Sequence, residues 1–154
     1  MAKTSKIGIA GEYALVSELI KRGYVACVTD KNTPKFDVLA SNQEGTKFAA
    51  IQVKTSGGDY NGDFVMTKKD EDWFHNDNGE FGRVFYAFVR LNDVGNTYWF
   101  ISALEVAKCV DEEYKLWLND PTAKRKRKDT TMRTIKPQKS FPDLKDNNFE
   151  VLDL

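Results

Sequence analysis

The stretch FDVLASNQEGTKFAAIQVKTS, residues 36–56, decides how this chain is read. Its first part, FDVLAS (36–41), reads as a strand, and NQEG (42–45) carries the Asn and Gly of a tight hairpin connection. TKFAAIQVKTS (46–56) reads as a longer strand whose FAAIQV segment is nearly continuous apolar. A strand of that kind is covered on both faces, which puts it in the middle of a sheet. Two polar residues interrupt it. Gln52 and Lys54 alternate with Ile51 and Val53, so the two-residue period aims both at one face. Asp37 lies between Phe36 and Val38, where a carboxylate is a poor strand former.

Upstream, Ile9 to Lys21 has helical spacing, with Leu15, Val16, Leu19 and Ile20 on one stripe and Gly23 ending it. YVACVT (24–29) reads as a strand, and TDKNTPK (29–35) as turn chemistry. Downstream come a loop GGDYNGD (57–63), a strand FVMT (64–67), a short helix from Lys68 to His75 and a loop NDNGEFG (76–82). RVFYAFVRL (83–91) and TYWFIS (97–102) read as strands joined by NDVGN (92–96). A helix from Ser102 to Asn119 opens on a capping box, Ser102 with Glu105, and stops before Pro121. Leu104, Ala107, Cys109 or Val110, Tyr114, Trp117 and Leu118 are its expected buried side. A polar, Lys-rich tail runs to FEVLDL (149–154). This order implies one α/β domain over residues 1–154, with a mixed central sheet of about five strands flanked by helices.

The chain has 154 residues, is 41% hydrophobic and 30% charged, and holds ten Phe, six Tyr and three Trp, enough for one core. No apolar run approaches the ~20 residues that cross a bilayer, so no membrane role is expected. Cys27 and Cys109 lack metal-ligand spacing and read as reduced thiols, which implies a cytoplasmic setting. Lys+Arg and Asp+Glu are both 23, so there is no global basic footprint for nucleic acid. Positive charge is instead local, in a basic segment 122–148 that contains Lys124, Arg125, Lys126, Arg127 and Lys128. That run is either a phosphate-contacting strip or a solvated tail.

Four side chains break their local pattern. Glu12 precedes Leu15, Val16 and Leu19 by three, four and seven residues, which sets its carboxylate on the apolar stripe of the first helix. Taken singly, each residue has an ordinary reading. Glu12 is a dipole-stabilising residue near a helix start, Asp37 a turn acceptor, and Lys54 an edge lysine. Taken together they are harder to dismiss, because a buried Lys54 needs a partner. A hairpin would also set Asp37 beside Gln52 and Lys54.

GEYALVSELIKRGY (11–24), then FDVLAS, then IQVKTS, resembles the PD-(D/E)xK nuclease superfamily, which includes restriction endonucleases and archaeal Holliday-junction resolvases. The likeness covers about the first 56 residues, a third of the chain, and the later elements only in their order. It implies a restriction-endonuclease-like fold, with Glu12, Asp37, Gln52 and Lys54 as catalytic residues. It also implies Mg²⁺ or Mn²⁺ held by Asp37, the side-chain oxygen of Gln52, the main-chain carbonyl of Val53, and Glu12. Lys54 would stand beside the attacking water. Nucleic acid, DNA favoured, is the implied substrate, and a homodimer the implied assembly. The pattern departs from the family at two places. Pro34 stands three residues before Asp37, and Gln52 replaces the usual carboxylate, leaving an oxygen ligand without negative charge. A catalytically weak or inactive nuclease-fold module that binds nucleic acid or protein is the alternative the Gln leaves open.

Other candidates have bland readings beside the functional ones. Tyr60, in the loop just past Lys54, is a base-stacking residue or part of a plain connector. His75 is the only histidine and reads as a surface residue, since no second His or spaced Cys completes a zinc site. Thr55 is a strand residue or a nearby hydrogen-bonding group. Trp73, Trp99 and Trp117 fit core positions.

Overall fold

The computed structural model describes residues 3–57, 63–75 and 83–154, with side chains described for residues 6–57, 63–72 and 83–154. Tyr60 and the His75 and Trp73 side chains lie outside that set. The elements run α1 (Lys3–Lys21), β1 (Val25–Val28), β2 (Val38–Ser41), β3 (Phe48–Gly57), β4 (Phe64–Thr67), α2 (Lys68–His75) and β5 (Val84–Leu91). They continue with β6 (Thr97–Ser102), α3 (Ala103–Leu118), β7 (Met132–Ile135), α4 (Pro137–Ser140) and a 3-10 turn over Phe149–Leu152. Five strands form one mixed sheet in the order β1-β2-β3-β5-β6, and β4 pairs with β7 in a separate ribbon. Only β3 and β5 run parallel within the large sheet; its other pairs are antiparallel. No described helix is long and apolar enough to cross a membrane.

The hairpin residues do what their chemistry predicts. The Asn42 side-chain oxygen accepts from the backbone N–H of Thr46 and of Lys47, at 2.9 and 3.0 Å, and Gly45 takes a φ of 66° that an L side chain rarely adopts. The register sets Val38 opposite Ile51. Residues of alternate parity then separate to the two faces. Val38, Ile51 and Val53 join Leu15, Leu19, Ala87, Val89, Phe100, Phe149 and Leu152 in a core beneath α1. Tyr86, Phe88, Trp99 and Ile101 face the other way, against Phe64, Met66, Val106, Val110 and Ile135. Gln52 and Lys54, of opposite parity to Ile51 and Val53, therefore share the Tyr86 face.

Helix α1 lies very close to β3. A Cβ on Gly11 would stand 1.9 Å from the Thr55 hydroxyl oxygen, so only hydrogen fits there. The helix also begins at Lys3 rather than Ile9, and the Ile7 side chain lies beside Gly57. Ile20 does not join the buried stripe; it is 55% exposed while Leu15 and Leu19 are fully buried.

Helix α3 buries Ala103, Val106, Ala107 and Val110, at i, i+3, i+4 and i+7. The expected stripe through Tyr114 and Trp117 is displaced, and Trp117 is exposed. Those rings instead stack on each other and carry guanidinium groups, Arg133 over Tyr114 and Arg127 over Trp117. Arginine thereby covers aromatic surface the core does not reach.

The polar tail has structure that no periodicity announced. Met132–Ile135 pairs with β4. The Asn148 side chain donates to the Phe100 carbonyl and accepts from its N–H, both at 2.8 Å, while Asn147 accepts from the Tyr98 N–H with its side-chain oxygen at 3.1 Å and donates its backbone N–H to the Tyr98 carbonyl at 2.8 Å. Two asparagines thus satisfy the outer edge of β6.

Candidate active site

The sheet brings three of the four pattern-breaking residues onto one face by register alone. Asp37 stands just before β2, and its backbone N–H donates to the Ile51 carbonyl at 2.8 Å, which places it beside Gln52. One carboxylate oxygen of Asp37 accepts from the Gln52 amide nitrogen at 2.6 Å and from the Val53 backbone N–H at 2.8 Å. The other oxygen takes no hydrogen bond among the described residues. Burial pushes the Asp37 carboxyl up from its ordinary value, against the opposing pull of the Val53 N–H and the Lys54 charge; the Asp70 charge pushes it further up.

Lys54 is not a free cation. Its ammonium lies 2.9 Å from one oxygen of Asp70, with the lysine side chain 21% exposed and the aspartate 3%. The same Asp70 oxygen accepts from the Tyr86 hydroxyl at 2.8 Å. Its other oxygen accepts from the Thr67 backbone N–H at 2.8 Å and hydroxyl at 3.1 Å. Asp70 therefore closes the first turn of α2 while fixing Lys54. Every favourable acceptor direction of its carboxylate is used, so it positions rather than ligates. Burial and the adjacent Asp70 charge push the Tyr86 hydroxyl far above its ordinary value, so it stays a donor at any working pH.

Glu12 comes from α1, which packs on the opposite face of the sheet from Gln52 and Lys54. Half-burial raises its carboxyl, and the nearby Asp37 charge raises it further, while Lys31 opposes both. Glu12 and Asp37 are thus close enough to repel. Among the described residues no three His, Cys, Asp or Glu side chains gather as a ready metal cluster. The donors present are oxygens: the free Asp37 oxygen, the Glu12 carboxylate, the Gln52 amide and the Val53 carbonyl. That set suits a hard cation such as Mg²⁺ or Mn²⁺ and no soft one. For Gln52 to join it, the amide must turn its oxygen where its nitrogen now meets Asp37.

The chain is similar to the structure of Hjc, a Holliday junction resolvase from the archaeal hyperthermophile Archaeoglobus fulgidus, with 95% of each chain covered, 17% identity and a TM-score of 0.57. The fold is restriction-endonuclease-like. A bacterial homing endonuclease also aligns, at 17% identity over 67% of each chain with a TM-score of 0.42. Neither a family model nor a curated protein matches the sequence.

Within this restriction-endonuclease-like frame, Asp70 and Tyr86 are the two residues that sequence reasoning missed. Thr67-Lys68-Lys69-Asp70 has the spacing of a capping box and could have flagged Asp70 as a helix-start acceptor. Nothing in the sequence ties it to Lys54, which lies sixteen residues earlier. The basic run divides. Lys124, Arg125, Lys126 and Lys128 are exposed, whereas Arg127 turns back to the Trp117 carbonyl and the Asp120 carboxylate.

Proposed function

We propose that this chain is a divalent-metal-dependent endonuclease that hydrolyses phosphodiester bonds in nucleic acid, with DNA, branched or otherwise structured, as the favoured substrate. The observation that carries this reading is the shared face of Asp37, Gln52 and Lys54, where a half-satisfied carboxylate stands near a cation fixed by Asp70. A site of that composition attracts both a metal ion and a phosphate.

Asp37 and Glu12, with the Gln52 oxygen and the Val53 carbonyl, would hold the cation. When bound, it supplies Lewis-acid neutralisation of the phosphate oxygens and lowers the pKa of a coordinated water. Gln52 and the Val53 N–H orient Asp37. Lys54 sets its ammonium against the phosphate and stabilises charge that builds as the bond breaks. Asp70 and Tyr86 hold Lys54 at that position, which removes the cost of ordering a flexible chain during reaction.

Because Gln52 contributes no charge, Glu12 becomes the second anionic ligand. Full activity in Glu12→Gln beside lost activity in Asp37→Asn would refute that role. The reading also takes the protein to be cytoplasmic, with Cys27 and Cys109 as free thiols, and to act as a homodimer when it cuts two strands. Tyr60 and the exposed lysines of 124–128 are further proposed contacts to the strand.

The decisive experiment incubates the purified chain with plasmid, linear duplex, single-stranded and four-way-junction DNA, and with RNA, in Mg²⁺ or Mn²⁺. Cleavage lost in both Asp37→Ala and Lys54→Ala supports the proposal. Binding without cleavage by the wild type favours instead a non-catalytic nucleic-acid module, the reading that Gln52 motivates.

A further inference from the structure

Three rungs of the β3–β5 pair point to the site's face: Gln52 beside Tyr86, Lys54 beside Phe88, and Ser56 beside Arg90. The first two rungs are accounted for. The third is not. Ser56 is buried at 7% exposure, and its hydroxyl oxygen is enclosed with no hydrogen-bond partner. The Arg90 Nε is likewise enclosed without a partner. Two unmatched polar side chains are thus paired across one rung. Among the described residues the guanidinium lies near two aromatic rings, 5.1 Å from the Trp99 centroid and 5.8 Å from that of Phe64. No carboxylate among the described residues pairs with it. An enclosed donor without an acceptor is costly, and a fixed guanidinium without an anion more so.

We infer that Ser56 and Arg90 form a second phosphate-binding subsite, which takes the phosphodiester next to the one cleaved. This deepens the proposed function and rests on it for the identity of the ligand as a nucleic-acid strand. Two strand residues span roughly 6.6 Å, which sets Ser56 one rung beyond Lys54, on the scale of one nucleotide step. The chemistry of the pair fits an anionic oxygen. Arg90 offers fork-shaped N–H donors beside the Phe64 and Trp99 rings, Ser56 offers an O–H, and neither brings a competing negative charge. Arg90 is half-buried rather than enclosed as a whole, and it lies beside the two rings. Lys54 then faces the reacting phosphate, and the Ser56–Arg90 rung fixes the register of the strand. Both residues are positioning groups, expected to act on binding rather than on the chemical step.

The test separates binding from cleavage. Affinity for a fluorescent oligonucleotide is measured by anisotropy in EDTA across a salt series, and cleavage is measured separately in Mg²⁺ or Mn²⁺. Circular dichroism verifies the fold of each variant. Arg90→Gln should weaken binding about tenfold and lower the salt slope by about one. Ser56→Ala should weaken it less and leave the slope unchanged. Arg90→Lys serves if the glutamine variant misfolds; it keeps the slope and loses affinity with the fork. In cleavage the variants should raise KM and leave kcat near wild type. A folded Arg90→Gln with wild-type affinity and slope overturns the subsite, whatever happens in cleavage. Wild-type binding without cleavage, with the Arg90→Gln loss intact, ends the enzyme reading and leaves the subsite standing. A wild type that neither binds nor cleaves ends both.

Discussion

Two aspartates near the same lysine have opposite surroundings. Asp70, at the start of α2, is almost fully buried and takes four contacts, from Lys54, Tyr86, the Thr67 N–H and the Thr67 hydroxyl. Asp37, just before β2, is half-buried and accepts hydrogen bonds on only one of its oxygens among the described residues. A carboxylate whose acceptor sites are filled by fixed donors is a structural anion. One that is desolvated, half-satisfied and pushed above its ordinary pKa holds unspent affinity for a cation. Residue type does not separate these roles; the count of donors around each oxygen does.

The sharpest way to break that comparison is to remove each carboxylate in turn. Asp37→Asn keeps an oxygen for the Val53 N–H and removes the charge that would bind metal. Cleavage should fall by about 10³-fold or more, while the melting temperature without metal holds or rises. A clear drop in that melting temperature would make Asp37 structural after all. Asp70→Ala should do the reverse in stability. It leaves Lys54, the Tyr86 hydroxyl and the Thr67 N–H without their partner, a loss of about 3–5 kcal/mol. For a chain of this size that lowers Tm by roughly 10 °C, measured by calorimetry. Activity should fall as well, since the lysine is no longer held.

Gln52→Glu restores a charge beside Asp37. In metal titrations of cleavage or of thermal stability it should lower the Mg²⁺ requirement about tenfold or more, at some loss of stability in EDTA from the new repulsion. An unchanged metal requirement would mean that Gln52 serves only to orient Asp37.

The smallest effect concerns pH. Glu12 and Asp37 both have raised pKa values in the folded protein. The folded state binds the proton more tightly than the unfolded state, so ionisation costs stability above the folded pKa. That cost is relieved as pH falls through it. In EDTA, Glu12→Gln should therefore raise Tm slightly at neutral pH, and the gain should vanish on acidification towards the ordinary carboxyl range. A gain that persisted at low pH would trace to packing rather than charge.

The site was legible only so far as it follows from strand alternation. Gln52 and Lys54 share a face because the period is two, and Asp37 joins them because the Asn42–Gly45 turn fixes the hairpin register. The partner of Lys54 was not legible. It comes from a helix reached through a β3–β4 connection, and no local pattern encodes which carboxylate a crossover delivers. The α3 stripe misled for a related reason. Periodicity marks Tyr114 and Trp117 as apolar, but arginines from the tail cover them instead of the core.

By itself the sequence determined the element order as far as α3, the hairpin and the face shared by the polar strand residues, because turn residues and alternation act over short stretches of chain. Tertiary structure alone decided that β5 lies parallel beside β3, that Asn147 and Asn148 close the sheet edge, and that Asp70 pins Lys54. Those contacts join residues far apart in the chain. They depend on which surfaces fit when the two cores close, and composition and spacing carry no record of that fit.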